Sequence, residues 1–399
     1  MSNFITLEPI FNRDFNVEAY EIHFNEKSNS GNGLTNFFTE LQNYDLPGIC
    51  NGKKALVECR SIDMIMQLCE TNSPDEIMIG LHSKLEYTPE NIESIKSIKE
   101  KGYRIVLNNF EFQNNFLDVV PYCDIINLNY KRLGRFMIAA ALDKMHPFGM
   151  KCLLTNIEEQ ILFNNSRNYG FDFFQGNFFK KAQHLPVAQI ATSKLQALEL
   201  LKEIHQPEMD YQKIGTIIRR DITISYKLMQ LINSPAFGIR NEIKSINQAL
   251  TMLGERSIKS WLSWIIFRDL GTDKPSETVI LSLQRAKFLE SLANDTGLGN
   301  YKSELYLLGL FSMIDVLLER PLKEILKDFP LDKEIKAALL GEESRYNDIY
   351  KLMLAYEDAS ALDVFMFADK YGTNEKTIEK DFMSAVQSAH EIFNTETLN

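Results

Sequence analysis

The sequence predicts an α/β chain in two parts: a closed (β/α)8-like barrel whose first strand runs antiparallel, followed by an all-α domain. Three observations lead there. Short β-branched runs alternate with helix-like segments through the first half, the pattern of a parallel sheet. About eight such runs fall within roughly 180 residues, which suits closure better than an open sheet. After about Lys180 the strand signals stop and helical periodicity takes over.

The expected strands are Ile5–Asn12, Glu18–Phe24, Ala55–Cys59, Glu76–Leu81, Arg104–Asn109, Asp124–Asn129, Lys151–Asn156 and Phe173–Phe178. Helical segments such as Asn91–Lys101 and Lys131–Lys144 lie between them. Only the turn-like Asn12–Asn16 separates the first two runs, too short for a crossover, so they pair antiparallel. The segment HLPVAQIATSK reads as a linker and divides the chain into domains 1–186 and 187–399. Beyond it, Ser245 and Gln248 form a capping box ahead of Ile246, Ala249, Leu250 and Leu253, and Gly254 stands at the stop. Ile258, Trp261, Leu262, Ile265 and Ile266 make a core-facing stripe. Leu281–Ala293, Glu304–Leu318 and Glu375–Phe393 add further helices.

Composition narrows the function. The 399 residues carry a net charge of -11, which disfavours nucleic acid and anionic membranes as partners. The local basic groups, Lys131 with Arg132 and Arg135, and Arg219 with Arg220, read as solvated helix faces. Cys50, Cys59, Cys69, Cys123 and Cys152 form no CxxC pair and read as reduced thiols of a cytoplasmic protein. The start, MSNFITLEPIFNRD, lacks a signal-peptide pattern, and no apolar run approaches the ~18 residues that span a bilayer.

Barrel enzymes keep their chemistry at the carboxyl ends of the strands. Those ends bear Glu21, Glu58, Gly80 with Leu81, Asn108 with Asn109, Asn127 with Asn129, Thr155 with Asn156, and Gln175. Neutral amides dominate. Two divalent cations need several carboxylates, so the mouth is expected to bind Mg²⁺ poorly and to lack a general base. Thr155 and Glu158 have capping-box spacing, Gln175 suits a strand-end amide contact, and His23 reads as a packed imidazole. Glu21 and Glu58 could share one weak cation or pair with a lysine, and the expectation is no metal.

Residues 5–186 resemble the EAL domain, the family that hydrolyses cyclic di-GMP, through LEPIFNRDFNVEAYEIHF, KGYRIVLNNF and GFDFFQGNFFKKAQHLP. The resemblance implies that Glu21 keeps the metal-binding glutamate of the signature and Gln175-Gly176 a family hallmark. It also implies losses. The phosphate-binding arginine falls on Asn25, a metal-binding asparagine on Glu58, and a glutamate on Gly80. The paired aspartates fall on Asn108 and Asn109, a lysine on Asn127, and the general-base glutamate on Thr155; Glu158 keeps that motif's second glutamate.

Residues from about 190 to 395 resemble the HDOD domain, a non-catalytic relative of HD-type metal hydrolases. Asp221, Asn233-Ser234, Phe237-Gly238, Ser245, Ala249 and Leu253-Gly254 fall on its landmarks. The His-Asp pair of a working HD enzyme falls on Ser312 and Met313, and the helical half holds only His205, read as a surface residue, and His390. Together the two resemblances imply a non-enzymatic EAL–HDOD regulatory protein, without cofactor, that works through contacts with other signalling proteins. A homodimer stays open. A cyclic di-GMP sensor that does not cut its ligand is the second reading, although the amide-lined mouth offers the phosphates neither Arg nor Lys. Residual phosphodiesterase activity is the third.

Overall fold

The computed structural model describes residues 4–25, 41, 44–83, 85–108, 118–133, 140, 142–143, 149–182, 192–234, 243–327 and 329–397. Asn109, Phe237, Gly238, most of the expected linker and part of the expected 131–144 helix lie outside them. Contacts divide the chain into two compact units. One comprises residues 1–181 with 355–369 and 374–399, and the other 182–354 with 370–373.

The first unit is a closed barrel of eight strands in chain order: β1 Phe4–Asn12, β2 Val17–Asn25, β3 Lys54–Cys59, β4 Ile77–Leu81, β5 Arg104–Leu107, β6 Ile125–Asn129, β7 Lys151–Thr155 and β8 Phe173–Gln175. β1 is antiparallel to both β2 and β8, and the other neighbouring pairs are parallel. The Asn12 side chain accepts from the backbone N–H groups of Asp14 and Asn16, which closes the β1–β2 turn locally. β8 stops at Gln175, short of the expected Phe178. Gly176 turns there at φ 141°, and a Cβ on it would meet the Ile157 carbonyl at 2.2 Å.

Alternation along each strand sends every second side chain into the barrel. Ile10, Ala19, Leu56, Met78, Val106, Ile125, Leu153 and Phe173 form one buried apolar layer, one residue from each strand. Stepping two residues toward the carboxyl ends of the parallel strands gives the next layer and turns it polar.

The barrel helices are α1 Leu46–Ile49, α2 Ile62–Thr71, α3 Pro89–Glu100 and α4 Gln160–Tyr169. Ser61 and Thr88 cap α2 and α3 by accepting from the N–H groups of Met64 and Asn91. The expected capping box at α4 does not form. Glu159 is the N-cap, Asn156 turns the chain at φ 64°, and both Thr155 and Glu158 are engaged elsewhere.

The second unit is helical, as expected: α5 Thr192–Ile204, α6 Tyr211–Arg220, α7 Ile222–Ile232, α8 Ile246–Leu270, α9 Ser276–Asp295, α10 Lys302–Phe311, α11 Ile314–Leu318, α12 Leu322–Lys327 and α13 Lys333–Leu340. Ser245 is the N-cap of α8, but its hydroxyl makes no cap bond, so that box also fails. Gly254, at φ 73°, breaks α8 into two runs at the expected stop. Ile258, Leu262, Ile265 and Ile266 are buried and Trp261 is half-buried, as the stripe requires. Asn233 ties the end of α7 to Ile243, accepting from its N–H and donating to its carbonyl.

The chain continues through α14 Asn347–Glu357, α15 Ala361–Tyr371 and α16 Glu375–Thr397. α16 packs on the outside of the β1–β2 hairpin, where the His390 ring lies 5.9 Å from that of Tyr20 and its Nδ1 is 3.4 Å from the Gly48 carbonyl. A hairpin has no crossover helix to cover its outer face, and the last helix supplies that cover. β8 pairs β1 only at Ile10–Asn12, which leaves the upper edge of β1 without a strand partner. Two side chains stand in for one: Glu379 accepts from the Ile5 N–H at 3.2 Å, and the Tyr356 hydroxyl donates to the Ile5 carbonyl at 3.1 Å.

Candidate functional site

The polar layer consists of Glu8, Glu21, Glu58, Gly80, Asn108, Asn127, Thr155 and Gln175, one position per strand directly above the apolar layer. Asn108, Asn127, Thr155, Gln175 and Glu21 are all buried. The structure therefore brings together most of the strand-end residues singled out from the sequence. Asn25 ends β2, and Asn109 lies outside the described residues.

Hydrogen bonds run across the layer in a chain. The Thr155 hydroxyl donates to Asn127 Oδ1 at 2.9 Å, Asn127 Nδ2 donates to Asn108 Oδ1 at 3.2 Å, and Asn108 Nδ2 donates to Glu58 Oε1 at 3.1 Å. On the other side Gln175 Nε2 donates to Glu21 Oε2 at 2.7 Å. Gln175 thus makes an amide contact as expected, but to the glutamate of β2.

His23 is not a packed imidazole. It leaves 40% of its side chain exposed at the mouth, with Nε2 3.1 Å from Glu8 Oε2 and 3.7 Å from Glu21 Oε2. Burial works against its charged form, but the facing Glu21 charge and the Glu8 hydrogen bond outweigh it and push the pKa up to about 9. For Glu21, burial dominates and holds the carboxyl above its usual range, against the opposing pull of His23 and Gln175. Among the described residues neither Glu21 nor Glu58 pairs with a lysine; their hydrogen-bond partners are Gln175 and Asn108.

The EAL resemblance implies a metal-dependent reaction, and the donor set fits one cation rather than two. Glu8, Glu21 and His23 place three ligand atoms within 4.8 Å of one another, the sole such group among the described residues. The Asn108 and Asn127 amides are neutral and committed to each other and to Glu58. Counting charges at the ends of the parallel strands overlooked Glu8, because β1 runs the other way and presents this residue from its middle. The antiparallel pairing read from the short turn was the signal that could have found it.

Two cations join the mouth, Lys131, which was expected on a solvated helix face, and Lys181. At the rim, Lys131 Nζ and Lys181 Nζ reach Glu158 at 3.3 and 2.8 Å. The Lys181 hydrogen bond, with help from Lys131, holds the Glu158 carboxyl below its usual range. Glu158 is therefore the anchor of two lysines and caps no helix.

In the helical unit, Ser312 and Met313 face a guanidinium. Arg285 Nη1 lies 3.1 Å from Ser312 Oγ and 3.3 Å from Met313 Sδ. A fixed cation thus contacts the two positions where the resemblance places a metal-binding pair. His205 is buried, contrary to its expected surface place. Its Nε2 lies 2.9 Å from Ser263 Oγ, and its ring meets Phe311 edge-on.

Residues 191–321 match the HDOD domain family. An uncharacterized protein of Bacillus subtilis, YuxH, is 28% identical over 90% of this chain and 91% of its own length. CdgJ of Vibrio cholerae, named a cyclic di-GMP phosphodiesterase, is 24% identical over 98% of this chain and 93% of its own. Among solved structures, an EAL domain protein from Listeria monocytogenes matches at a TM-score of 0.37 and 14% identity, covering 45% of this chain and 87% of that one. The CdgJ match overturns the expectation of a non-enzymatic chain with a degenerate barrel, since a relative aligned almost end to end bears the name of a phosphodiesterase. The physical basis of that expectation was also incomplete, because the count of anions omitted Glu8.

Proposed function

With an HDOD domain at residues 191–321 behind a barrel that resembles the EAL domain, we propose that this chain is a cyclic di-GMP phosphodiesterase acting at the barrel mouth. One observation carries the reading: the buried Glu21 carboxylate, at the position the resemblance assigns to the cation, is pinned by Gln175 inside a layer of polar side chains contributed by all strands but β4. The near end-to-end relationship to CdgJ supports it.

Glu8, Glu21 and His23 would hold a divalent cation. Such an ion lowers the pKa of a bound water and offsets charge on a phosphoryl oxygen. The chain's own residues do the rest. Gln175 fixes the orientation of the Glu21 carboxylate, and the Thr155–Asn127–Asn108–Glu58 chain holds Glu58 toward the mouth. Lys131 and Lys181 offer the dinucleotide phosphates two cations that Glu158 keeps at the rim. The reaction is hydrolysis of one phosphodiester of the ring: water adds at phosphorus, the ribose oxygen leaves, and the product is the linear dinucleotide.

Among the described residues no helix is long and apolar enough to cross a membrane. The free thiols of Cys50, Cys59, Cys123 and Cys152 are buried, which suits the reducing cytoplasm as the place of action. The test is chromatographic detection of the linear dinucleotide after incubating the full chain with cyclic di-GMP and a panel of divalent ions. Absence of product under every ion refutes the reading.

A further inference from the structure

We propose that Glu8, Glu21 and His23 form a single-cation site that takes an ion accepting a nitrogen ligand, such as Zn²⁺, Co²⁺ or Ni²⁺, in preference to Mg²⁺. The proposal rests on the functional reading above and specifies the ion that the site selects.

The β1–β2 hairpin supplies all three ligands. Glu8 stands directly opposite Glu21 in the antiparallel register, and His23 follows Glu21 by two residues on the same inward face of β2. The distances from His23 Nε2, 3.1 Å to Glu8 Oε2 and 3.7 Å to Glu21 Oε2, bracket the roughly 3.3 Å that separates ligand atoms around one tetrahedral ion with bonds of about 2.0–2.1 Å. Glu21 is buried and oriented by Gln175, so one ligand is already in place before an ion arrives. Two carboxylates cancel the charge of a dication, and the ion would displace the proton from His23 as it binds.

The rest of the mouth points to the same side. Asn108 turns its NH₂ group toward Glu58 and its carbonyl toward Asn127, so both ends are already hydrogen-bonded within the layer. Position 80 is a glycine and brings no donor. The centre of negative charge therefore lies at the hairpin. Mg²⁺ takes oxygen ligands and keeps its waters, whereas imidazole suits Zn²⁺, Co²⁺ and Ni²⁺. A histidine in the ligand set thus shifts the preference away from Mg²⁺.

The test is calorimetric titration of the metal-free full chain with Zn²⁺, Ni²⁺ and Mg²⁺, alongside His23→Ala and the near-isosteric Glu8→Gln, with thermal unfolding as the check on folding. One ion per chain is expected, with Zn²⁺ and Ni²⁺ ahead of Mg²⁺ and a loss of at least about tenfold in their affinity in each variant. The Co²⁺ form is expected to show visible absorption that His23→Ala alters. Should His23→Ala fail to fold, Glu8→Gln decides alone. Equal affinities in wild type and variant, preference for Mg²⁺, or no binding at all overturns the site; the last result would leave His23 as a protonated bridge between two carboxylates. Hydrolysis is scored separately. Turnover with Mg²⁺ that persists in His23→Ala removes the site and spares the functional reading, whereas tight Zn²⁺ binding without turnover does the reverse.

Discussion

The side-chain amide of Asn108, the residue after β5, donates to the carboxylate of Glu58 on β3 at 3.1 Å, across the intervening strand β4. The reach is open because β4 carries Gly80 at that level. A Cβ there would come within 3.0 Å of Asn108 Nδ2 and 3.1 Å of the Glu58 Cα. The absence of a side chain at position 80 and the bridge from Asn108 to Glu58 are thus structurally coupled. A double-mutant cycle with Asn108→Ala and Glu58→Gln is expected to show a coupling of about 1.5–3 kcal/mol, the range for hydrogen bonds to charged groups. Gly80→Ala is expected to shrink it. A coupling indistinguishable from zero contradicts the bridge.

Tyr356 and Glu379 satisfy the unpaired edge of β1 at Ile5. Tyr356→Phe leaves a buried carbonyl without its donor and is expected to cost about 1–3 kcal/mol in a urea unfolding transition monitored on the barrel. Glu379→Gln keeps an acceptor for the Ile5 N–H and should cost less than Glu379→Leu. The ordering of the two variants, more than either value, tests the contact.

A chain ended at residue 186 retains every strand but loses Tyr356, Glu379 and the helix over the β1–β2 hairpin. The exposed strand edge and bared outer face are expected to drive it into aggregates at concentrations where the full chain stays dispersed, as size-exclusion chromatography would report. A monodisperse, cooperatively unfolding fragment would show that the barrel does not need the C-terminal segment.

Two buried histidines make stability depend on pH. Burial, with a contribution from Lys259, pulls His205 down to about 3. Burial also lowers His390 to about 4, against a smaller opposing effect of the Gly48 carbonyl. Both titrate near 6.5 once unfolded, so the unfolded chain takes up protons that the folded chain refuses. Stability from this source is complete above about 6.5 and falls as the pH drops toward 4 and then 3. These two residues are expected to lower unfolding midpoints from pH 7 to 5, opposed by His23 and Glu21, whose raised pKa values act the other way, and His390→Gln should remove its share of the fall in the barrel transition.

Lys131 and Lys181 are expected to act on binding. Replacing both with alanine should raise KM for cyclic di-GMP by roughly tenfold, the cost of about 1.4 kcal/mol of charge-assisted contact, and leave kcat nearly unchanged. A fall in kcat at constant KM would move them from the phosphates to the reacting centre.

Local pattern carried much of this protein. Strand positions, the antiparallel start and the helical second half follow from residue periodicity and from one short turn, because each depends on neighbours within a few residues. The strand ends were legible too, since side-chain alternation places Glu21, Glu58, Asn108, Asn127, Thr155 and Gln175 at one level. What the fold alone decided is which distant groups meet. Glu8 joins Glu21 because a reversed strand presents its middle to the mouth, and Lys131 and Lys181 reach Glu158 from separate segments. His205 is buried, and the last helix returns to the first strand. Charge, burial and hydrogen bonding act through space, and distance in space is set by closure of the barrel and packing of the helices, which no stretch of neighbouring residues records.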